Sequence, residues 1–374
     1  MLVLAFFDTG FMGGDERWRR LREARPASRQ HFPLNLPSTL GQYDLAKPEQ
    51  AAPVVGMAHQ AGIDGFVIDC RWLGGAYRHD AAALAPFCGA AFGLAFRWRN
   101  GEEPLWADAA AGLEQVERAG ALIAAIKNVP MVRLGGRPVV IVEHPKHLAA
   151  PAAVVAALRQ AAEQAGLPGL YLIANRAEDK GRFLSVGFDA LIDPSPEEWH
   201  SCSPSNRATG LEYLEVMAGM KDSADYLDRF FPYLTFTVSR MLERERRGKV
   251  MPRVFASFHN WLRHPDGGST HLMAGGRPFD THLFGLFVEN SMLFAHSHFP
   301  AGERAIFLQS WNGWLDGTQI EPSMLDGDLV YNAARAAIDR GRYMILTRGD
   351  NPAEIGAELK ERIALLCEAA KGAL

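Results

Sequence analysis

Short apolar runs alternate along the chain with segments of helical periodicity. Eight runs have strand length, at residues 2–7, 65–70, 92–96, 139–142, 170–174, 190–193, 253–257 and 305–309. Helical patterns lie between most of them, at 48–61, 109–127, 152–165, 211–248 and 281–295, and two more, 329–339 and 353–370, follow the last. Such alternation predicts right-handed parallel βαβ units. Eight units favour an α/β fold of the (β/α)8 TIM-barrel type, with an open doubly wound sheet as the alternative.

The same pattern predicts one domain over residues 1–374, because it contains no linker, repeat or low-complexity segment. Two insertions interrupt the barrel. The first, about 10–43, is rich in Arg and Pro, and the second spans about 194–250. The barrel is followed by C-terminal helices within 329–374.

Composition narrows the function classes. Hydrophobic residues make up 48% of the chain, and the net charge of −4 gives no reason to expect nucleic acid or an anionic membrane as a partner. The apolar start of the chain ends at Asp8 and has no basic flank, so we interpret it as a strand rather than a signal peptide or membrane span. The four cysteines are scattered and lack the spacing of metal ligands, so we expect free thiols and no bound metal. Free thiols are typical of a reducing compartment, which predicts a cytoplasmic protein. We also expect no cofactor.

Polar side chains follow the predicted strands, where a barrel assembles its chemistry. Any one of them could simply cap a helix or satisfy loop backbone, but a polar residue after every strand is more than solubility requires. These residues are Asp8, Asp69, Arg97, Glu143, Asn175, Asp193, His259 with Asn260, and Asn312 with Asp316.

Tryptophans are interleaved with these polar groups, among them Trp72, Trp98, Trp311 and Trp314. Sugars have apolar C–H faces and a rim of hydroxyls, so flat aromatic surfaces beside carboxylates and amides suit them. Core packing is the alternative for each tryptophan. The pair around the loop after the eighth strand, Trp311 and Trp314, is the predicted sugar platform.

That loop also resembles a known family. Residues 311–322 read Trp-Asn-Gly-Trp-Leu-Asp-Gly-Thr-Gln-Ile-Glu-Pro. They are similar to the Trp-Asn-Glu-Trp-x-Glu-Gly-x-x-x-Glu-Pro segment of WbsX-type proteins, which are related to glycoside hydrolase family 99, the endo-α-1,2-mannosidases and mannanases. Further similar segments lie at 31–34, 40–45, 61–66, 72–75, 136–141, 169–172, 187–190 and 258–260. The resemblance implies a TIM barrel and carbohydrate chemistry in bacterial O-antigen or surface-polysaccharide (lipopolysaccharide) biosynthesis, usually as a glycosyltransferase.

One position departs from the family. Its hydrolases use two glutamates three residues apart, the first to deprotonate the sugar 2-hydroxyl and the second as general acid and base. Here the second position is Asp316 and the first is Gly313. Without the first carboxylate, hydrolysis by that mechanism cannot run. Three explanations stay open: a carboxylate from another strand, transfer from an activated sugar, or binding without turnover.

The sequence therefore predicts a carbohydrate-active enzyme with Asp316 as acid/base and Asp69 or Glu143 as the second carboxylate. The predicted substrate contacts are Trp311, Asn312, Trp314, Glu321, His259, Asn260, Trp72, Arg97, Trp98 and Asp8. The substrate is an oligosaccharide or a sugar donor; positive charge at Arg97 and Arg99 suits a phosphate-bearing donor or an acidic sugar. Alternatives are a glycan-binding pseudoenzyme and, less favoured, a metal-dependent hydrolase using Asp8, Asp69 and His259.

Overall fold

The computed structural model contains a barrel of eight parallel strands. It describes residues 1–11, 16–26, 34–102, 112–175, 182–194, 196, 221–222, 229–230, 233–247, 249–263, 270–273, 279–348 and 351–372. The strands are β1 (Leu2–Phe6), β2 (Gly65–Leu73), β3 (Gly93–Trp98), β4 (Arg137–Val142), β5 (Tyr171–Asn175), β6 (Ala190–Ile192), β7 in two parts (Val250–Met251 and Arg253–Val254) and β8 (Ala305–Leu308).

The barrel is closed by β7, which pairs with two neighbours around one proline. Val250 and Met251 pair with β6, and the segment Arg253–Val254 pairs with β8. Pro252 lies between the two halves and has no N–H to donate, but its carbonyl accepts a hydrogen bond of 2.8 Å from the Phe307 N–H of β8. Since β8 also pairs with β1, the sheet returns to its start. The predicted TIM barrel is confirmed.

Nine helices are found in the described parts of the chain. They are α1 (Glu16–Glu23), α2 (Pro48–Gln60), α3 (Gly112–Ile126), α4 (Pro151–Gln164), α5 (Arg182–Ser185), α6 (Tyr233–Arg247), α7 (Thr281–His298), α8 (Leu329–Thr347) and α9 (Pro352–Gly372). A proline is the first residue of α2, α4 and α9, where the N–H that proline lacks would have no partner within the helix. The Asp280 carboxylate caps the start of α7 by accepting a hydrogen bond from Leu283 N–H at 2.9 Å.

Two predicted elements were wrong in part. The helix predicted over 211–248 is helical only as α6 within the described residues. Lys221–Asp222 and Arg229–Phe230 are instead strands of a small second sheet with Thr270–Met273 and Ser257–His259. The seventh barrel strand, predicted at 253–257, begins at Val250, because the apolar run continues through Pro252. Residues 211–220 and 223–228, and the resembling residues 31–33, lie outside the described residues.

Apolar side chains on both faces of the barrel strands explain why the sheet is covered by helices. In β4 every residue after Arg137 is buried, as expected of parallel strands with helices on one face and the barrel interior on the other. The surrounding helices are amphipathic, except α7. That helix is buried nearly all round, and its Glu289 is held by Arg340 of α8 and Arg362 of α9, each at 2.7 Å.

A buried ion pair joins the barrel to α6. Asp193, directly after β6, is 2% exposed, and it binds Arg240 at 3.0 Å and Arg244 at a shorter distance. The side chains of both arginines are also buried, at 4% and 1% exposure. Since charges away from water are tolerated only when paired, this contact positions α6 against the barrel.

Replacing Asp193→Asn should lower the free energy of unfolding by about 3–5 kcal/mol, because two buried guanidinium groups lose their counter-charge. Urea denaturation measures this. Glu16→Gln, which breaks a solvent-exposed pair with Arg19, is the control and should change nothing measurable. A loss no larger than that of the control would show that α6 is held by packing alone.

Candidate active site at the barrel mouth

A cavity of about 290 Å³ opens at the carboxyl ends of the barrel strands. The ends of four adjacent strands, β8, β1, β2 and β3, supply most of its lining, as the barrel topology dictates. Most of its side chains are charged or polar. The lining residues are Phe6, Phe7, Asp8, Arg17, Asp69, Arg71, Arg97, Arg99, Gln309, Ser310, Gly313, Leu315 and Asp316.

Asp69 is the centre of the charge network in this cavity. It pairs directly with Arg97 in the register of β2 and β3, and its carboxylate accepts from Arg97 at 2.7 Å, Arg71 at 3.0 Å and Arg99 at 3.2 Å. Burial by itself would raise the pKa of Asp69, but the arginines outweigh burial and hold the pKa well below its ordinary value. Asp69 therefore stays ionised.

Glu143 lies behind the cavity rather than in its lining. It is 8% exposed. Its carboxylate forms ion pairs with Arg99, whose Nε lies 2.6 Å away, and with Arg97, whose Nη1 lies 3.8 Å away. Asp69 and Glu143 thus hold the arginines in place, and the catalytic role predicted for one of them stays a prediction. A carboxylate with so low a pKa as Asp69 is a poor base and no acid.

The loop after β8 is held by its own backbone and by β1. The Asn312 side chain donates to the Asp8 carbonyl at 2.9 Å and accepts from the Asp8 N–H at 2.8 Å. The Asp316 carbonyl accepts from His259 N–H at 2.8 Å, which ties the loop to the small second sheet. Asn312 is fully buried and positions the loop; its predicted contact with substrate stays a prediction. Asp316 remains in the cavity lining.

The space beside Gly313 is closed by two hydroxyl groups. A Cβ atom at this position would lie 2.0 Å from Thr318 Oγ1 and 2.3 Å from Ser310 Oγ. The two hydroxyls are 3.0 Å apart and hydrogen-bonded to each other. A glutamate cannot occupy position 313 without displacing them, so the loop is rebuilt around the glycine.

The tryptophans of this region are buried in the core. Trp98, Trp311 and Trp314 are all 0% exposed. Trp311 packs against Phe66, and Trp314 against Trp18 of α1. The sugar platform predicted at Trp311 and Trp314 stays a prediction, and so does the substrate role of Trp98.

Glu321, also predicted as a substrate contact, is buried, and that role stays a prediction. It is 1% exposed and accepts from the Tyr43 hydroxyl at 2.8 Å. Burial raises the pKa of the Glu321 carboxyl to about 8, against a smaller opposing effect of the Tyr43 hydrogen bond. Glu321 is therefore a core carboxyl that is largely protonated near neutral pH.

The other predicted contacts are only partly brought together. Asp8 lines the cavity and is paired with Arg17. His259 and Asn260 are buried, at 3% and 5% exposure, outside its lining. Trp72 also lies outside the lining, beneath the Arg118 guanidinium at 4.3 Å. The substrate roles of these residues stay predictions.

Sequence reasoning missed four polar residues of the lining: Arg17, Arg71, Gln309 and Ser310. A signal existed for Arg71, because Asp69 and Arg71 are two residues apart on one strand and therefore share a face. No comparable signal existed for Arg17, which reaches the cavity from the first insertion. Among the described residues, no three His, Cys, Asp or Glu side chains are grouped to hold a metal ion, so the metal hypothesis gains no support.

The family model of glycosyltransferase WbsX matches residues 96–333, which is more than half of the chain. The chain belongs to the WbsX glycosyltransferase family.

Relatives and solved structures agree with this assignment. The uncharacterized protein WxcX of two strains of Xanthomonas campestris pv. campestris is 24% identical over 341 residues, covering 87% of this chain and 46% of the relative. The chain thus spans about half the length of the curated relatives it matches. A glycoside hydrolase-like protein superposes with a TM-score of 0.56 at 17% identity, covering 90% of this chain and 93% of that one.

A second solved structure extends the similarity of fold. The GH99 endo-α-mannosidase of Bacteroides thetaiotaomicron matches with a TM-score of 0.55 at 15% identity, covering 93% of this chain and 100% of that one. Within the described parts of the chain, no helix is both long and apolar enough to cross a bilayer.

Gly313→Ala should lower the free energy of unfolding by about 1–3 kcal/mol, because the new methyl group overlaps both hydroxyls. In a Ser310→Ala/Thr318→Ala background the same change should cost much less. Urea denaturation of the wild type, Gly313→Ala, Ser310→Ala/Thr318→Ala and the triple variant measures the free energy of unfolding of each protein, and so the cost of the alanine in both backgrounds. Gly120→Ala, on α3 where a Cβ meets nothing within 4 Å, is the matched control. An equal cost in both backgrounds would contradict the closed space.

Glu321 should make stability depend on pH. Because its pKa is about 8 in the folded state against 4.5 for the free group, its contribution to stability is complete below pH 4.5 and is lost as the pH rises through 8. The limiting slope is about 1.4 kcal/mol per pH unit. Glu321→Gln should remove this loss. Between pH 5 and pH 8.5 the free energy of unfolding, measured by urea denaturation, should therefore fall more in the wild type than in the variant. An equal fall in both proteins would contradict the raised pKa of Glu321.

Proposed function

We propose that the protein is a glycosyl-transferring enzyme that acts on glycosidic bonds in the assembly or processing of a bacterial surface polysaccharide of the O-antigen type. Membership of the WbsX family supports carbohydrate chemistry. The barrel supports a site at its mouth, where the cavity holds Asp316 beside a group of arginines. The Cys88 thiol, which forms no disulfide, supports action in the reducing cytoplasm.

The closed space beside Gly313 is the observation that carries the choice of transfer over hydrolysis. The two-glutamate mechanism of the GH99 relatives needs a carboxylate at this position, and Ser310 and Thr318 occupy its place. Transfer from an activated donor has no such requirement. A phosphate leaving group departs as an anion, so little acid catalysis is needed at the bond that breaks.

In this proposal Asp316 is the base for the acceptor. The acceptor hydroxyl gives its proton to the Asp316 carboxylate while its oxygen bonds to the anomeric carbon of the donor. The bond from that carbon to the phosphate oxygen breaks, and its electron pair leaves with the phosphate. Arg71 stabilises the charge that develops on the leaving group, since guanidinium forks match phosphate oxygens.

A second candidate is a glycan-binding protein without turnover, and the loss of the family's first glutamate at Gly313 favours it. The two candidates differ in what Asp316 does. Removing the charge of Asp316 abolishes the reaction in the first and has no functional consequence in the second.

Asp316→Asn should lower the rate of glycosyl transfer about 10²–10⁴-fold while sugar-donor affinity changes little, because a general base acts on the chemical step. The assay is release of nucleoside phosphate from a panel of nucleotide-activated sugars with surface-polysaccharide oligosaccharides as acceptors, beside calorimetric binding of donors. Asp339→Asn, on the exposed side of α8, is the control. Glycan binding by a wild-type protein that turns over no donor would support the second candidate instead.

A further inference from the structure

A smaller cavity of about 140 Å³ adjoins the main one. The two share Asp8, Arg17, Asp69 and Arg71. The smaller cavity extends beneath the hairpin that β2 forms with the short strand Ala76–Arg78, and Arg78 lines it. Two connected cavities of unequal size suit a ligand in two parts, and their side chains indicate what each part is.

Two arginines face each other in this hairpin. Arg71 and Arg78 are direct partners in the antiparallel register, so their side chains project from the same face. Like charges in this position destabilise a sheet. Arg71 is paired with Asp69 at 3.0 Å. Within the described part of the chain, the Arg78 guanidinium has neither an ion pair nor a hydrogen bond. Its side chain is exposed, so water solvates the guanidinium where no described residue pairs with it.

The carboxylates around the smaller cavity are already engaged elsewhere. Asp8 binds Arg17 and accepts from Gly10 N–H at 2.8 Å. Asp69 is surrounded by its arginines, and Asp80 accepts from the Thr9 hydroxyl at 2.7 Å. None of these contacts involves Arg78. The three carboxylates of this lining equal its three arginines in number, and Arg78 is the arginine whose ion pairs they do not supply.

Gly10 allows a third guanidinium, that of Arg17, to line the smaller cavity. A Cβ atom on Gly10 would lie 1.8 Å from Arg17 Cζ. Arg17 can therefore lie against the backbone and reach the cavity only because position 10 has no side chain. The 10–43 insertion thus contributes directly to the site.

We infer that the smaller cavity is a subsite for an oxyanion carried by the substrate, bound by Arg78, Arg71 and Arg17 while the sugar ring lies in the main cavity beside Asp316. Arginine forks bind the oxygens of phosphates and carboxylates by paired hydrogen bonds. The anion is either the phosphate of an activated donor or the carboxylate of an acidic sugar. The placement of the sugar rests on the proposed function, whereas the anion contacts do not.

Isothermal titration at low ionic strength tests the subsite with the full chain. The titrants are inorganic phosphate, α-D-glucose 1-phosphate, D-glucuronate and, as the neutral reference, D-glucose. Arg78→Gln should weaken binding of the anions about ten- to hundredfold, and Arg78→Lys should weaken it less. D-glucose should bind both variants as it binds wild type. Arg335→Gln, an exposed position on α8, is the matched control. Whether the sugar phosphate or the uronate binds more tightly identifies the source of the anion.

Gly10→Ala is an independent variant that displaces Arg17, and it should also weaken phosphate binding. Anion affinities that are the same in wild type, Arg78→Gln and Gly10→Ala would overturn the subsite, as would a wild-type protein that binds none of the anions. Thermal denaturation of each variant shows that it is folded. The proposed function can fail while the subsite stands. If phosphate binding depends on Arg78 but the protein has no transfer activity, the proposed enzymatic function is refuted and the subsite is not. Transfer with an unchanged KM in Arg78→Gln refutes only the subsite.

Discussion

The closure of the barrel at β7 is the constraint on which the site depends. One strand of five residues pairs with β6 through its first half and with β8 through its second, on either side of Pro252. Since all barrel strands are parallel, closure places their carboxyl ends on one rim. Asp8, Asp69, Arg97 and Asp316 come from strands that are far apart in sequence, and only this rim brings them into one cavity.

Most of the charge at the rim is already neutralised within the protein. Asp69 and Glu143 hold Arg97 and Arg99, so these guanidinium groups are oriented before any ligand arrives. Pre-oriented donors lose little entropy on binding, which makes the network suited to an anionic group. The two carboxylates hold the arginines in position, and in the proposed reaction Asp316 is the group that takes the proton.

The barrel itself was predictable from the sequence, because buried parallel strands are continuous apolar runs that few other structures require. All eight runs became barrel strands. The errors came where local pattern and tertiary contact disagree. Residues 221–222 and 229–230 have helical periodicity around them, yet they pair with Thr270–Met273 in a second sheet. Strand pairing between distant segments has no local signal, so periodicity alone could not reveal it.

By itself the sequence determined the fold class, the family and the strand ends at which polar residues gather, because all three depend on local order along the chain. Only the tertiary structure decided which of those residues face the cavity. Trp311 and Trp314 look like sugar platforms in the sequence, but packing places them in the core. From the sequence, Gly313 would leave empty the space of the family's glutamate side chain, yet the hydroxyl groups of Ser310 and Thr318 fill that space. Arg17 and Arg78 become cavity residues only because a glycine and a hairpin register bring them there. Orientation, burial and occupied volume result from contacts between distant segments, and no local pattern encodes them.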